Sequence, residues 1–137
     1  MKSQRFGIEI EMTGLTRRSA ALIIAKHFDT GFRHERGVYD TYSVCDQDGR
    51  KWKIVRDASI TPQCGNRFDY DPDYKVEVVS PICHYEDIET IQSIVRELRR
   101  NGHAKVNESC GIHIHVDASK HTARSLRNIA NIMYSKE

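Results

Sequence analysis

The sequence predicts an α+β domain built on a largely antiparallel sheet with helices packed on one face. Three observations predict it. Short segments of apolar–polar alternation recur at residues 5–12, 75–79 and 111–117. An Asp48-Gly49 pair sits between two runs rich in aromatic and β-branched residues, a hairpin signature. Two long segments with helical apolar stripes fall between these strands, without strict strand–helix–strand alternation.

Residues 5–12 alternate Ile8, Ile10 and Met12 with Glu9 and Glu11 and read as a strand. Thr16 is a suitable N-cap for a helix running to about Phe28, with Ala20, Ile24 and Phe28 along one stripe, Ala21 and Ile23 widening it, and Gly31 as its stop. Residues 33–40 read as extended or irregular. Thr41–Asp46 and Lys51–Asp57 flank the Asp-Gly turn as a hairpin. Residues 58–74 carry Pro62, Gly65, Pro72 and several Asp, and read as one long polar loop.

Strand 75–79 follows, closed by Ser80-Pro81. Residues 85–100 form the clearest helix, with Ile88, Ile91, Ile94, Val95 and Leu98 on one face, Arg96, Arg99 and Arg100 in the last turns, and Asn101-Gly102 as the stop. Strand 111–117 comes next. Thr122 caps a final helix whose Leu126, Ile129, Ile132 and Met133 recur at helical spacing and which stops at Ser135-Lys136-Glu137 without a cap signal.

At 137 residues, this is material for one domain, 1–137. With 21 Lys and Arg against 19 Asp and Glu, the near-neutral charge makes nucleic acid an unlikely default partner. Arg96, Arg99, Arg100, Lys105, Arg124 and Arg127 read as solvated helix faces rather than as a macromolecular interface. No apolar run approaches the roughly 20 residues of a membrane helix, and the start Met1-Lys2-Ser3-Gln4-Arg5 has no signal-peptide core, so the expectation is a cytoplasmic protein with no membrane partner. Cys45, Cys64, Cys83 and Cys110 contain no Cys-x-x-Cys pair and read as small buried or half-buried thiols.

The chemistry lies in the alternation. In a strand, residues two apart share a face and lie about 6–7 Å apart. Glu9 and Glu11 therefore point one way, too far apart to share a proton, at a spacing that suits different cations or different coordination positions. His113, His115 and Asp117 likewise oppose Ile112, Ile114 and Val116, and Gly111 before them lets another group approach the backbone. Taken singly, such strands are usually solvated outer faces.

Together, Glu9, Glu11 and Glu77 repel one another, and two neutral imidazoles offset nothing. A divalent cation resolves this: carboxylates favour Mg²⁺ or Mn²⁺, and imidazole shifts the preference toward Mn²⁺ or Zn²⁺. Several acids with histidine point to more than one metal clamping a polyphosphate. No glycine-rich phosphate loop motif occurs. A Cys110–His113 dyad is a weaker alternative because the two face alternate ways on entering the strand, and a zinc site of Cys64, Cys110, His113 and His115 is weaker because it lacks a tight pair of thiolates.

These segments carry a resemblance. Arg5-Phe6-Gly7-Ile8-Glu9-Ile10-Glu11-Met12, Val55-Arg56-Asp57-Ala58-Ser59-Ile60, Val76-Glu77-Val78-Val79-Ser80-Pro81 and Asn107-Glu108-Ser109-Cys110-Gly111-Ile112-His113-Ile114-His115-Val116 resemble, in order, the motifs of the amidoligase family, carboxylate–amine ligases related to glutamine synthetase and glutamate–cysteine ligase. The resemblance implies a glutamine-synthetase-like sheet with its active site on the concave face. It implies ATP-dependent amide bond formation through an acyl phosphate, with small-molecule or peptide carboxylates and amines as substrates.

By motif, it makes Glu9, Glu11, Glu77 and His113 metal ligands, and His113 or His115 a holder of metal or nucleotide phosphate. Asp57, Ser59 and Arg5 fall beside the nucleotide, although Asp57 and Ser59 also read as a turn after the hairpin bonding its own backbone. Family members are considerably longer, so the expectation is the N-terminal part of a longer catalytic domain. Two other readings stay open: a metal- or nucleotide-binding module without turnover, and a structural α+β domain with a macromolecular partner.

Overall fold

The computed structural model describes residues 4–65, 67, 68 and 70–136. Met1–Ser3 at the leader position, Asn66 and Asp69 in the long loop, and Glu137 after the last helix lie outside the described residues. The fold is α+β. Strands β1 (Phe6–Met12), β2 (Phe32–Arg36), β3 (Thr41–Cys45), β4 (Lys51–Val55), β7 (Val76–Val79) and β8 (Ile112–Val116) form a six-stranded antiparallel sheet in the order β2-β3-β4-β7-β1-β8. Helices α1 (Arg17–His27), α2 (Ile88–Gly102) and α3 (Ala123–Tyr134) complete it.

Period-two patterning decides which side of the sheet is buried. Val44, Trp52, Ile54, Val76, Val78 and Met12 point to the back, where α1 and α2 pack with Ala20, Ala21, Ile24, Ile91, Ile94 and Leu98. Trp52 lies against Phe28 with ring centroids 5.6 Å apart, and its indole N–H reaches Asp46 Oδ2 at 3.3 Å. Asp46 organises the Asp-Gly hairpin by accepting the backbone N–H groups of Asp48 and Arg50, while Arg50 passes on to Asp87 ahead of α2. One buried carboxylate thus ties the turn, the core tryptophan and the entry to a helix together.

Thr16 caps α1, its side chain accepting from Ser19 N–H. The chain turns at Asp29 (φ 52°) rather than at Gly31, so α1 ends at His27, ahead of the glycine that the sequence suggested. Helix α2 is preceded by a short 3₁₀ turn at Tyr85–Asp87 and runs on to Gly102, with His103 taking the left-handed capping position (φ 58°). Gly102 serves packing: a Cβ there would come within 2.8 Å of the methyl ends of Leu15 and Ile23 on the α1 side.

Two expectations need correction, on the segment 58–74 and on the cysteines, and two others are sharpened. Residues 32–36 are strand β2, because they have an edge to pair with on β3. The segment 58–74 is not one irregular loop. It holds a two-stranded ribbon, β5 (Gln63–Cys64) and β6 (Arg67–Phe68), and a 3₁₀ turn at Pro72–Tyr74. Thr13, whose hydroxyl meets both Gln63 O and Gln63 N–H, and Arg17, which reaches Pro72 O and Asp73, pin this segment to the body. Cys45 and Cys64 are exposed, Cys110 is half-buried, and only Cys83 is fully buried among the four. Finally, the helices cover only part of the back. Ile112, Ile114 and Val116 of the edge strand β8 are 56–63% exposed, and α3 displays Leu126, Ile129, Ile132 and Met133 to solvent.

Candidate active site on the polar face of the sheet

The helix-free face of the sheet collects the sequence's acids and imidazoles. Register does this. On β1 and β7, Glu11 stands directly opposite Glu77, and Glu77 in turn faces Val55 of β4. Asp57 lies two residues beyond Val55, continuing the same alternation. On β1 and β8, Glu9 faces His113, and Gly7 faces His115. Because Gly7 has no side chain, the His115 ring can lean along β1 to Glu9.

The result is two overlapping clusters. Glu9, Glu77 and His113 offer one ligand atom each, all within 4.8 Å of one another, and Glu11, Asp57 and Glu77 do the same. Glu77 belongs to both. Glu9 and Glu11, same-face neighbours on one strand, therefore serve different clusters. Glu9 takes an imidazole on each oxygen, His113 Nδ1 at 3.3 Å from Oε2 and His115 Nε2 at 3.2 Å from Oε1. Glu11 is 5% exposed and accepts the Gly111 backbone N–H at 2.7 Å, while its own N–H donates to Gly111 O.

Electrostatics marks Glu77 as the strained member. Burial first, then the charges of Glu9, Asp57 and Glu11, push its carboxyl up to about 7. A carboxylate held between three others is unfavourable unless a cation neutralises it. The donor set, four carboxylates and an imidazole converging in two triads, fits Mg²⁺ or Mn²⁺. Asp57 stays ionised more readily than an ordinary aspartate, chiefly because Ser59 N–H and its hydroxyl donate to its Oδ1 at 2.7 and 2.8 Å.

The remaining sequence candidates are placed as follows. Ser59 does not enter either cluster; it forms the turn that holds Asp57. Arg5 sits at the far end of the same sheet face, paired with Asp117 at 2.7 Å, away from both triads. His115 contacts the site through Glu9 alone. Asp57 as a cluster member is the residue that sequence reasoning placed only beside the nucleotide. Its signal was available: Lys53, Val55 and Asp57 keep the parity of the polar face straight out of β4. A second layer steadies the histidine strand. Asn107 and Ser109 bond across to Thr61, so the turn before Gly111 is anchored to the segment after Asp57.

The profile of the family described as putative amidoligase enzyme matches residues 2–137, and the chain belongs to that family. No curated protein and no solved structure matches the chain. Among the described residues no helix is long and apolar enough to cross a membrane.

Proposed function

We propose that this face carries out ATP-dependent ligation of a carboxylate to an amine through an acyl phosphate, in the manner of glutamine-synthetase-like ligases. The observation that carries the reading is the pair of triads sharing Glu77, one of three carboxylates and one of two carboxylates with an imidazole. Glu9, Glu77 and His113 would hold one Mg²⁺ or Mn²⁺, and Glu11, Asp57 and Glu77 a second; such ions would supply charge neutralisation for phosphoryl oxygens. The protein's own contribution is positional. Gly111 N–H fixes the Glu11 carboxylate, His113 and His115 fix both oxygens of Glu9, and the Ser59 turn fixes Asp57. Rigid ligands lower the reorganisation needed when the reactants arrive.

The test is thermal denaturation with Mn²⁺ or Mg²⁺, with and without ATP, followed by phosphate release with panels of carboxylates and amines. At a hundredfold excess over Kd, ligand binding should stabilise the chain by about 2.7 kcal/mol. Glu9→Ala should remove the part of that gain that comes from the Glu9, Glu77 and His113 cluster. A wild-type chain that responds to no divalent ion refutes the reading. The openness of the face, with the His113 and His115 side chains 55% and 64% exposed, favours one further reading, a metal–nucleotide-binding module without turnover. Metal-dependent stabilisation without phosphate release for any pair of substrates would select it.

A further inference from the structure

The two clusters are not built alike. Glu9, Glu77 and His113 all stand on paired strands of the main sheet, so backbone ladders fix their spacing. In the other cluster Glu11 and Glu77 are strand residues, but Asp57 lies beyond Val55, the last paired residue of β4, and belongs to a loop. Glu11 in turn depends on Gly111, the end of the loop that leads into β8, whose N–H its carboxylate accepts at 2.7 Å. This cluster therefore needs two loops to agree in position.

A closed ring of hydrogen bonds joins those loops. Thr61 N–H donates to Ser109 Oγ at 2.8 Å, the Ser109 hydroxyl donates to Asn107 Oδ1 at 2.6 Å, and Asn107 Nδ2 donates to Thr61 O at 2.9 Å. Each residue in the ring gives one proton and takes one in the same sense, an arrangement in which hydrogen bonds polarise and strengthen one another. Asn107 Oδ1 also takes Ser109 N–H at 3.0 Å, which orients its amide and shapes the turn toward Gly111. Thr61 follows the fully buried Ile60, which seats that side of the ring in the protein body. Lys75 Nζ, 2.7 Å from Ala58 O, holds the same loop from the β7 side.

We propose that Asn107 and Ser109 are positioning residues for the second metal ion: by locking the Asp57 loop to the Gly111 turn they set how Asp57 and Glu11 face each other, and so decide whether the site holds two divalent ions or one. The proposal rests on the two-ion reading of the face and not on the identity of its substrates. The ion between Glu9, Glu77 and His113 is independent of the ring, because its ligands stand on ladders.

Titration of the chain with Mn²⁺, followed by calorimetry and electron paramagnetic resonance, tests it. Wild type should bind two ions, and ions sharing Glu77 should give the broadened spectrum of a coupled pair. Asn107→Asp keeps the acceptor for Ser109 N–H but has no donor for Thr61 O. It should weaken the Glu11–Asp57–Glu77 ion about 10–100-fold, the usual effect of removing a group that orients a ligand. It should leave the affinity of the other ion unchanged and give the sharp spectrum of an isolated ion. Ser109→Ala should do the same, and Ser109→Thr should keep both ions. In EDTA, amide exchange at Gly111 should be faster in Asn107→Asp and Ser109→Ala than in wild type. Variants that bind both ions as wild type does, or that weaken both equally, overturn the inference, and so does a wild type that binds a single ion. If Asn107→Asp fails to fold, the Ser109 variants decide the matter alone. A wild type that binds no divalent ion overturns the inference together with the metal reading, whereas ring-dependent binding of two ions without phosphate release supports the inference and removes the ligase reading.

Discussion

Replacing Glu77 by Gln should make the metal-free protein more stable and the metal-loaded protein less stable. Glu77 titrates at about 7 in the folded chain against an ordinary 4.5, because burial and the charges of Glu9, Asp57 and Glu11 disfavour its anion. Between those two values the folded state binds more protons at this site than the unfolded state does. Stability of the wild type therefore falls as pH rises through that window, and the full cost is present above about 7. Converted directly, this is about 3 kcal/mol. Partial exposure and screening reduce it to about 1–2 kcal/mol.

An uncharged isostere removes that cost. At pH 8 without metal, Glu77→Gln should melt about 3–8 °C above wild type for a domain of this size. At pH 4, where the wild-type carboxyl is protonated in both states, the difference should vanish. Saturating Mn²⁺ should reverse the order, because Glu77 belongs to both triads and the variant forfeits most of the binding stabilisation. The assay is differential scanning calorimetry at pH 4 and 8, with EDTA or with Mn²⁺. A variant less stable than wild type in EDTA at pH 8, or a gain of equal size at both pH values, would refute the electrostatic account of this site.

Other parts of the molecule respond differently. Asp87 accepts both terminal nitrogens of Arg50 at 2.9 Å and the His84 N–H at 2.8 Å, which lowers its carboxyl below the usual 3.8. Its contribution is present above 3.8 and lost as pH falls through the lowered folded value. Asp87→Asn should therefore cost about 1–2 kcal/mol in urea unfolding at pH 7 and progressively less in acid. Gly14 adopts φ +86°, and a Cβ there would sit 2.7 Å from the carbonyl oxygen of His103. Gly14→Ala should lose about 1–3 kcal/mol by chemical denaturation, since backbone on both sides must move.

Local signals and long-range pairing contributed unequally to what could be read in advance. The two-sided strands, the Thr16 and Thr122 caps and the Asp-Gly hairpin follow from nearest-neighbour stereochemistry, which a sequence displays directly. The ribbon within 58–74 was invisible because its strands have two residues each, too short for any period to register. The uncovered back of β8 was hidden for a related reason: isoleucine alternation predicts a side that would gain from burial, and says nothing of whether a helix reaches it.

At the site, the residue types and the face they share were legible from alternation alone: Glu9 with Glu11, His113 with His115, and Glu77 between valines. Register is a property of pairs of strands far apart in sequence, and a shift of one residue would send every side chain to the other face. Tertiary structure therefore decided that Glu77 stands opposite Glu11, that Glu9 receives two imidazoles, and that Asp57 joins the carboxylates. Alternation determined which groups look outward together, and the antiparallel pairing of distant segments determined which of them meet.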